Sequence, residues 1–298
     1  MKQKLFVAIL ASALVIGITA CGTDSPGNTD SVNGKNNSHS TVETTENPDQ
    51  KISQSDSGAD NGGDQNRQTY TMAEVDDGAL GDTITFNLIT DAKETGNEID
   101  FTSVQKAAPD GLAIDPHGMW EGGDITVEDG QEYIVRLYVH NNSPKGTAGV
   151  STGTKVAISG VNEHGTWQSK TNKDGKQEVE LNGFITSDNA TPHEYWDYVR
   201  FNSSTSFHLD YVYGSAMIYN RGATGTTDPI SAADMMTATD EQLKAQKITG
   251  KPLSNDIVEK AGSNDGTLIG FDALDGNVPG CYEYSSYITI RVKAVFDK

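Results

Sequence analysis

Two short stretches gather the side chains best suited to hold a ligand. His117-Gly-Met-Trp120-Glu121 and His193-Glu-Tyr-Trp196-Asp-Tyr198 each set a tryptophan among a histidine and carboxylates. An indole offers a flat apolar face to the C–H side of a sugar or to a peptide, and flanking acids accept hydrogen bonds from hydroxyls. Trp120, Trp196, Tyr198, His117 and His193 are therefore the candidate ligand platform. The plainer account of both tryptophans is closure of a hydrophobic core. The second cluster opens an expected strand, where half-burial is natural.

Other chemistries find less support. Gly149-Val-Ser-Thr-Gly153 matches the letters of a nucleophile elbow. It falls in a turn between two expected strands, whereas an elbow needs a strand-to-helix turn. Ser-x-x-Lys, a phosphate-binding glycine loop and a dinucleotide fingerprint all fail their context. The histidines at 117, 140, 164, 193 and 208 show no i, i+4 pair, and no cysteine pair supplies zinc ligands. Calcium needs only oxygens, and Asp272, Asp275 and Asn277 echo part of a calcium loop without its spacing or terminal Glu. Asn172-Lys-Asp-Gly175 does the same. Asp-Gly and Asn-Gly are also ordinary turn residues, so both stretches are read as turns and calcium is kept as the weaker alternative. No catalytic residue is assigned. With 34 acids after residue 70, close carboxylate pairs are guaranteed, so nearness alone does not mark a glycosidase.

The elements that must position these groups are mostly strands. Glu132 to His140 alternates, with Tyr133, Val135, Leu137 and Val139 on one side and Ile134, Arg136, Tyr138 and His140 on the other. Further strands are expected at 83–90, 98–104, 154–159, 177–186, 195–202, 206–213 and 216–219. A closing strand over 281–295 puts Ile288, Ile290, Val292 and Ala294 inward. The span 107–129 reads as a long loop, a place where function concentrates. One helix is expected near Thr239 to Gln242, with capping-box spacing and a stop at Gly250 and Pro252. Many short strands with Gly and Asn turns predict an antiparallel, immunoglobulin-like β-sandwich over 71–298. It forms either one unit or a small 71–128 part followed by 129–298.

The start of the chain carries an address. Lys2 and Lys4 precede the uncharged apolar run Leu5 to Ile18, which is too short to span a bilayer. The ending Ile18-Thr19-Ala20-Cys21 resembles the lipobox of bacterial lipoproteins. That resemblance implies cleavage between Ala20 and Cys21, a diacylglycerol on the Cys21 thiol, and anchoring on the outer face of a bacterial membrane. Residues 22–70 have four apolar side chains before Tyr70, too few to offset ordering entropy, and predict a disordered tether. Its root-mean-square span would be about 40 Å. With Cys21 lipidated, Cys281 is left alone and reads as a small buried side chain. The formal charge is −20, and residues 22–70 hold eight acids against three bases. Most of the deficit therefore falls on 71–298, which excludes nucleic acid as a partner.

A second resemblance rests on Glu132-Tyr-Ile-Val-Arg-Leu-Tyr-Val-His-Asn-Asn142, Thr154-Lys-Val-Ala-Ile158 and Gly276-Asn-Val-Pro-Gly280 before an alternating strand. This pattern is similar to the immunoglobulin-like conserved-repeat domains of bacterial surface proteins, and 83–293 resembles uncharacterised exported proteins of Gram-positive-type bacteria. It implies a surface module without catalytic residues or cofactor. The expected function is a membrane-anchored, non-enzymatic module for adhesion, envelope structure or ligand binding, with cell-wall glycan or a surface protein as partner. The alternative is an exported glycan-active hydrolase using loop carboxylates.

Overall fold

The computed structural model describes residues 67–92, 95–111, 120–159, 165–220, 250–259 and 266–298. The signal, Cys21, the tether up to residue 66, His117, His164 and the helix expected near 239–242 lie outside them. Two sheets carry the fold. The first is built on β1 (Thr102–Lys106), β3 (Glu132–Val139), β13 (Ser286–Phe296), β10 (Met217–Tyr219) and β11 (Lys251–Pro252), paired in that order, with β9 (Phe207–Tyr211) and β5 (Thr166–Gln168) added beside β13. The second runs β12 (Thr267–Leu268), β4 (Lys155–Ile158), β7 (Gln177–Thr186), β8 (Glu194–Ser203) and β2 (Gly123–Thr126), with β6 (Lys170–Thr171) on β7. Among the described residues every strand pair is antiparallel except β2 with β8.

The expected alternation sets the layers. Tyr133, Val135, Leu137 and Val139 of β3 and Ile288, Ile290, Val292 and Ala294 of β13 share one hydrophobic cluster with Val156, Ile158, Leu181, Ile185, Val199 and Phe201 of the other sheet. The chain is thus a mainly β sandwich. The sheets approach closely at Gly183 of β7, where a Cβ would lie 2.7 Å from Thr102 Oγ1 and 2.9 Å from Leu137 Cδ2.

Several expectations are corrected. No regular strand spans 83–90. Asn87 adopts φ 48°, which breaks the pleat, and only single bridges at Ile84, Phe86 and Ile89 remain. The second strand begins at Thr102, not Glu98, and the 107–129 loop contains β2. The closing strand starts at Ser286 because Cys281 has φ 85° and Tyr282–Tyr284 form a 3-10 turn. Two short helices, α1 (Met72–Asp76) and α2 (Asp256–Glu259), occur where none was expected. Thr71 caps α1 in a capping box with Glu74. Folded contacts begin before residue 71: Arg67 is buried against Phe101 and Tyr195, and Tyr70 bridges Ile89. Cys281 is half-buried and disulfide-bonded, not the lone thiol expected; the other cysteine of the chain is Cys21.

The outer face of the first sheet is largely covered. Ile134, Tyr138 and His140 are buried there. Glu98, almost fully buried, places Oε1 2.7 Å from His140 Nδ1, while Asn142 Nδ2 donates to its Oε2 at 2.8 Å. Asn87 completes the cluster by donating to the Tyr138 carbonyl and accepting from the His140 N–H. Buried polar groups tied together in this way hold one loop arrangement, because any break strands a desolvated partner.

Candidate functional site

Strand alternation decides the fate of each tryptophan. In β8, Tyr195, Val199 and Phe201 enter the core cluster, so Trp196, Tyr198 and Arg200 fall on the outer face of the second sheet. Trp196 belongs to neither hydrophobic cluster. Core closure, the plainer account of the two tryptophans, is therefore overturned for Trp196; the core indole is Trp167, whose Nε1 donates to the Ser159 carbonyl.

The outer face is an aromatic row with charged ends. The Trp196 and Tyr198 rings lie 6.4 Å apart and 24° from parallel. The Arg200 guanidinium sits 4.1 Å from the Tyr198 ring centre and is held by Glu180 at 2.9 Å. These contacts raise the Arg200 pKa against the opposing effect of burial. Arg200 thus covers Tyr198, which is buried, and Trp196 is half-buried. Register places Phe184 opposite Trp196 and Thr186 opposite Glu194. Because side chains alternate, both pairs stand on this same face.

Where that face meets the strand ends there is a cavity of about 260 Å³ lined by Gly153, Lys155, Thr186, Ser187, Asp188 and His193. Lys155 of β4 pairs with Thr186 of β7, which brings the ammonium to the row next to Phe184 and Trp196. The 187–193 loop is tied down at several points. Asn189 Oδ1 accepts from the Thr152 N–H and its Nδ2 donates to the Val150 carbonyl. Ser187 Oγ donates to the Thr152 carbonyl. His193 Nδ1 lies 3.1 Å from the Ser187 carbonyl oxygen, so that nitrogen carries the proton. Gly153 has φ 59°, and a Cβ there would collide with the Asp188 carboxylate.

Trp120 is placed differently. The Arg136 guanidinium lies 3.9 Å from its ring centre and 4.8 Å from that of Tyr287, on the covered face of the first sheet. Burial lowers the Arg136 pKa to about 10, opposed by the Tyr287 hydroxyl. Trp120 thus clamps a half-buried arginine, apart from Trp196. Asp275, from the calcium alternative, accepts from both the backbone and the side chain of Asn277, which holds its carboxyl below the usual range. Its carboxylate serves the turn. Among the described residues no group of three or more His, Cys, Asp or Glu side chains is placed to hold a metal.

One group was missed by sequence reasoning. Asp197 is buried on the inner side of β8, accepting from the Thr102 N–H at 2.6 Å and the Tyr198 N–H at 2.8 Å. Burial raises its pKa to about 8 despite those bonds and the nearby Arg67. The alternation of β8 was the available signal, since an inward Asp between Tyr195 and Val199 must be desolvated. No family model, curated protein or solved structure matches the chain.

Proposed function

We propose that the protein is an exported lipoprotein, held by Cys21 to the outer face of a bacterial membrane, whose β-sandwich binds an extracellular ligand without catalysing a reaction. The observation that carries the binding reading is the half-buried Trp196, outside both hydrophobic clusters and in a row with Phe184 and Tyr198. A rigid sheet presenting an indole without a core role is a contact surface, and the cell-wall glycan beside the anchor is its natural occupant. The anchor reading rests on the resemblance of Ile18-Thr19-Ala20-Cys21 to a lipobox.

Retention of the full chain on purified cell-wall glycan tests the surface. Trp196→Ala should weaken retention about thirtyfold, the equivalent of roughly 2 kcal/mol for a central aromatic contact. Its urea midpoint should stay near wild type. A variant that unfolds early, or one that is retained as well as wild type, overturns the reading. Cys21→Ala should stop uptake of labelled fatty acid.

A further inference from the structure

We infer that the cavity at the end of the Trp196 face is a sugar subsite that receives one uncharged pyranose residue of a neutral glycan. The inference rests on the binding reading of Trp196 and names the ligand class of that same surface.

Continuity comes from register. Trp196 and Phe184 form one cross-strand pair, Glu194 and Thr186 the next on the same face, and Lys155 stands beside Thr186. A chain lying along Trp196 therefore runs directly into the cavity. Its volume, about 260 Å³, falls just under the usual range of roughly 300–1,000 Å³ for small-molecule sites and suits a single ring better than a longer segment.

The chemistry of the lining sets the class. Lys155 offers ammonium donors, Asp188 offers only acceptors, and Thr186 and Ser187 offer hydroxyls that do both. With Nδ1 protonated toward the Ser187 carbonyl, the other nitrogen of His193 is an acceptor in the neutral ring. Donors and acceptors thus alternate around one small space, the pattern that vicinal hydroxyls need. The single cation and single carboxylate of the lining cancel. A phosphate or uronate would meet Asp188 and the adjacent Glu194. An ammonium group would meet Lys155. An uncharged polyol hydrogen-bonds to either without bringing a further charge into the space.

The cavity is also built in advance. Asn189 fastens its loop to the chain at Val150 and Thr152, and glycine at 153 leaves room for the Asp188 carboxylate. Asp188 and His193 are exposed, so substituting them leaves the core intact.

The test is calorimetric titration of the full chain in detergent. The probes are neutral gluco-, manno- and N-acetylglucosamine hexasaccharides, with oligogalacturonate and poly(glycerol phosphate) as charged counterparts. A neutral hexasaccharide should bind with an affinity unchanged between low and high salt. Asp188→Asn and Lys155→Met should each weaken it tenfold or more while the melting temperature holds. Tighter binding of a charged polymer, falling with salt, overturns the neutral-sugar class and leaves the Trp196 surface standing. Loss in Trp196→Ala with no change in either cavity variant removes the cavity from the site. Failure of every glycan to bind wild type overturns the glycan reading of the surface and this inference with it.

Discussion

Arg136 lies between the Trp120 and Tyr287 rings with its Nε donating to Ser103, so its charge has exchanged part of its water for two π faces and one hydroxyl. Removing the indole strips one face from a half-buried cation. Trp120→Ala should lower the urea-unfolding free energy by about 2 kcal/mol, against less than about 1 kcal/mol for the surface indole Trp196. Equal losses in the two variants would contradict the placement of both. Asp197 gives a prediction in pH. Its carboxyl ionises near 3.8 when exposed and near 8 in the fold, so the folded chain holds an extra proton between those values. Its contribution is therefore full below about pH 4 and declines as pH rises through 8, a swing of a few kcal/mol. Asp197→Asn should abolish that slope, so the stability gap between the two proteins must change in favour of the variant from pH 5 to pH 8.5. A constant gap would mean the acid is not shifted. The Trp196 cluster was legible as a composition of aromatic, acid and histidine, but its side of the sheet was not. Tyr195, Trp196, Tyr198 and Val199 put apolar groups on both faces, and only pairing with β7 chooses between them. Lys155 and Asp188 were illegible as a pair because the β4–β7 register alone brings them together.

β7 and β8 form the longest antiparallel ladder, and Gly183 sits on its inner side with Val179, Leu181 and Ile185. The glycine is there for proximity: an added methyl would press on Thr102 Oγ1 and Leu137 in the facing sheet. Gly183→Ala should cost about 1–3 kcal/mol by overpacking, read as a lower urea midpoint with an unchanged slope. A neutral or stabilising outcome would show that the sheets are not in contact at this level. The loop before β1 is held by a different device. Glu98 bonds His140 and Asn142 in the interior, so Glu98→Ala leaves both desolvated and should cost about 3 kcal/mol in the same assay. Little or no loss would remove Glu98 from the structural network. Strands with clean alternation, such as 177–186 and 132–139, were read almost to the residue because each buries a single face over many residues. The stretch 83–90 has the same apolar spacing but fails as a strand. Its Asn87 side chain bonds the end of β3 and imposes a left-handed backbone there, an effect of tertiary contact that local spacing does not record.

At the scale of the whole chain, the two cysteines bear on whether the lipid anchor exists. Cys281 opens the turn before β13 and is disulfide-bonded, while the lipobox resemblance assigns the thiol of Cys21 to a lipid thioether. A sulfur in a thioether cannot join a disulfide, so a lipidated Cys21 leaves Cys281 without a partner in its own chain. Membrane-extracted protein, if lipidated, should release one thiol per chain to maleimide after denaturation without reductant, and should show the mass of an acylated Cys21. Two or more acyl chains, at about 0.8 kcal/mol per buried methylene, would keep it in the membrane fraction through high salt. A chain lacking residues 1–20 and produced in an oxidising compartment should instead show no thiol until it is reduced. If the membrane-extracted protein also lacks a free thiol and carries no acyl mass, Cys21 is a structural half-cystine. The anchor reading then falls, and the Trp196 surface must act from a secreted protein.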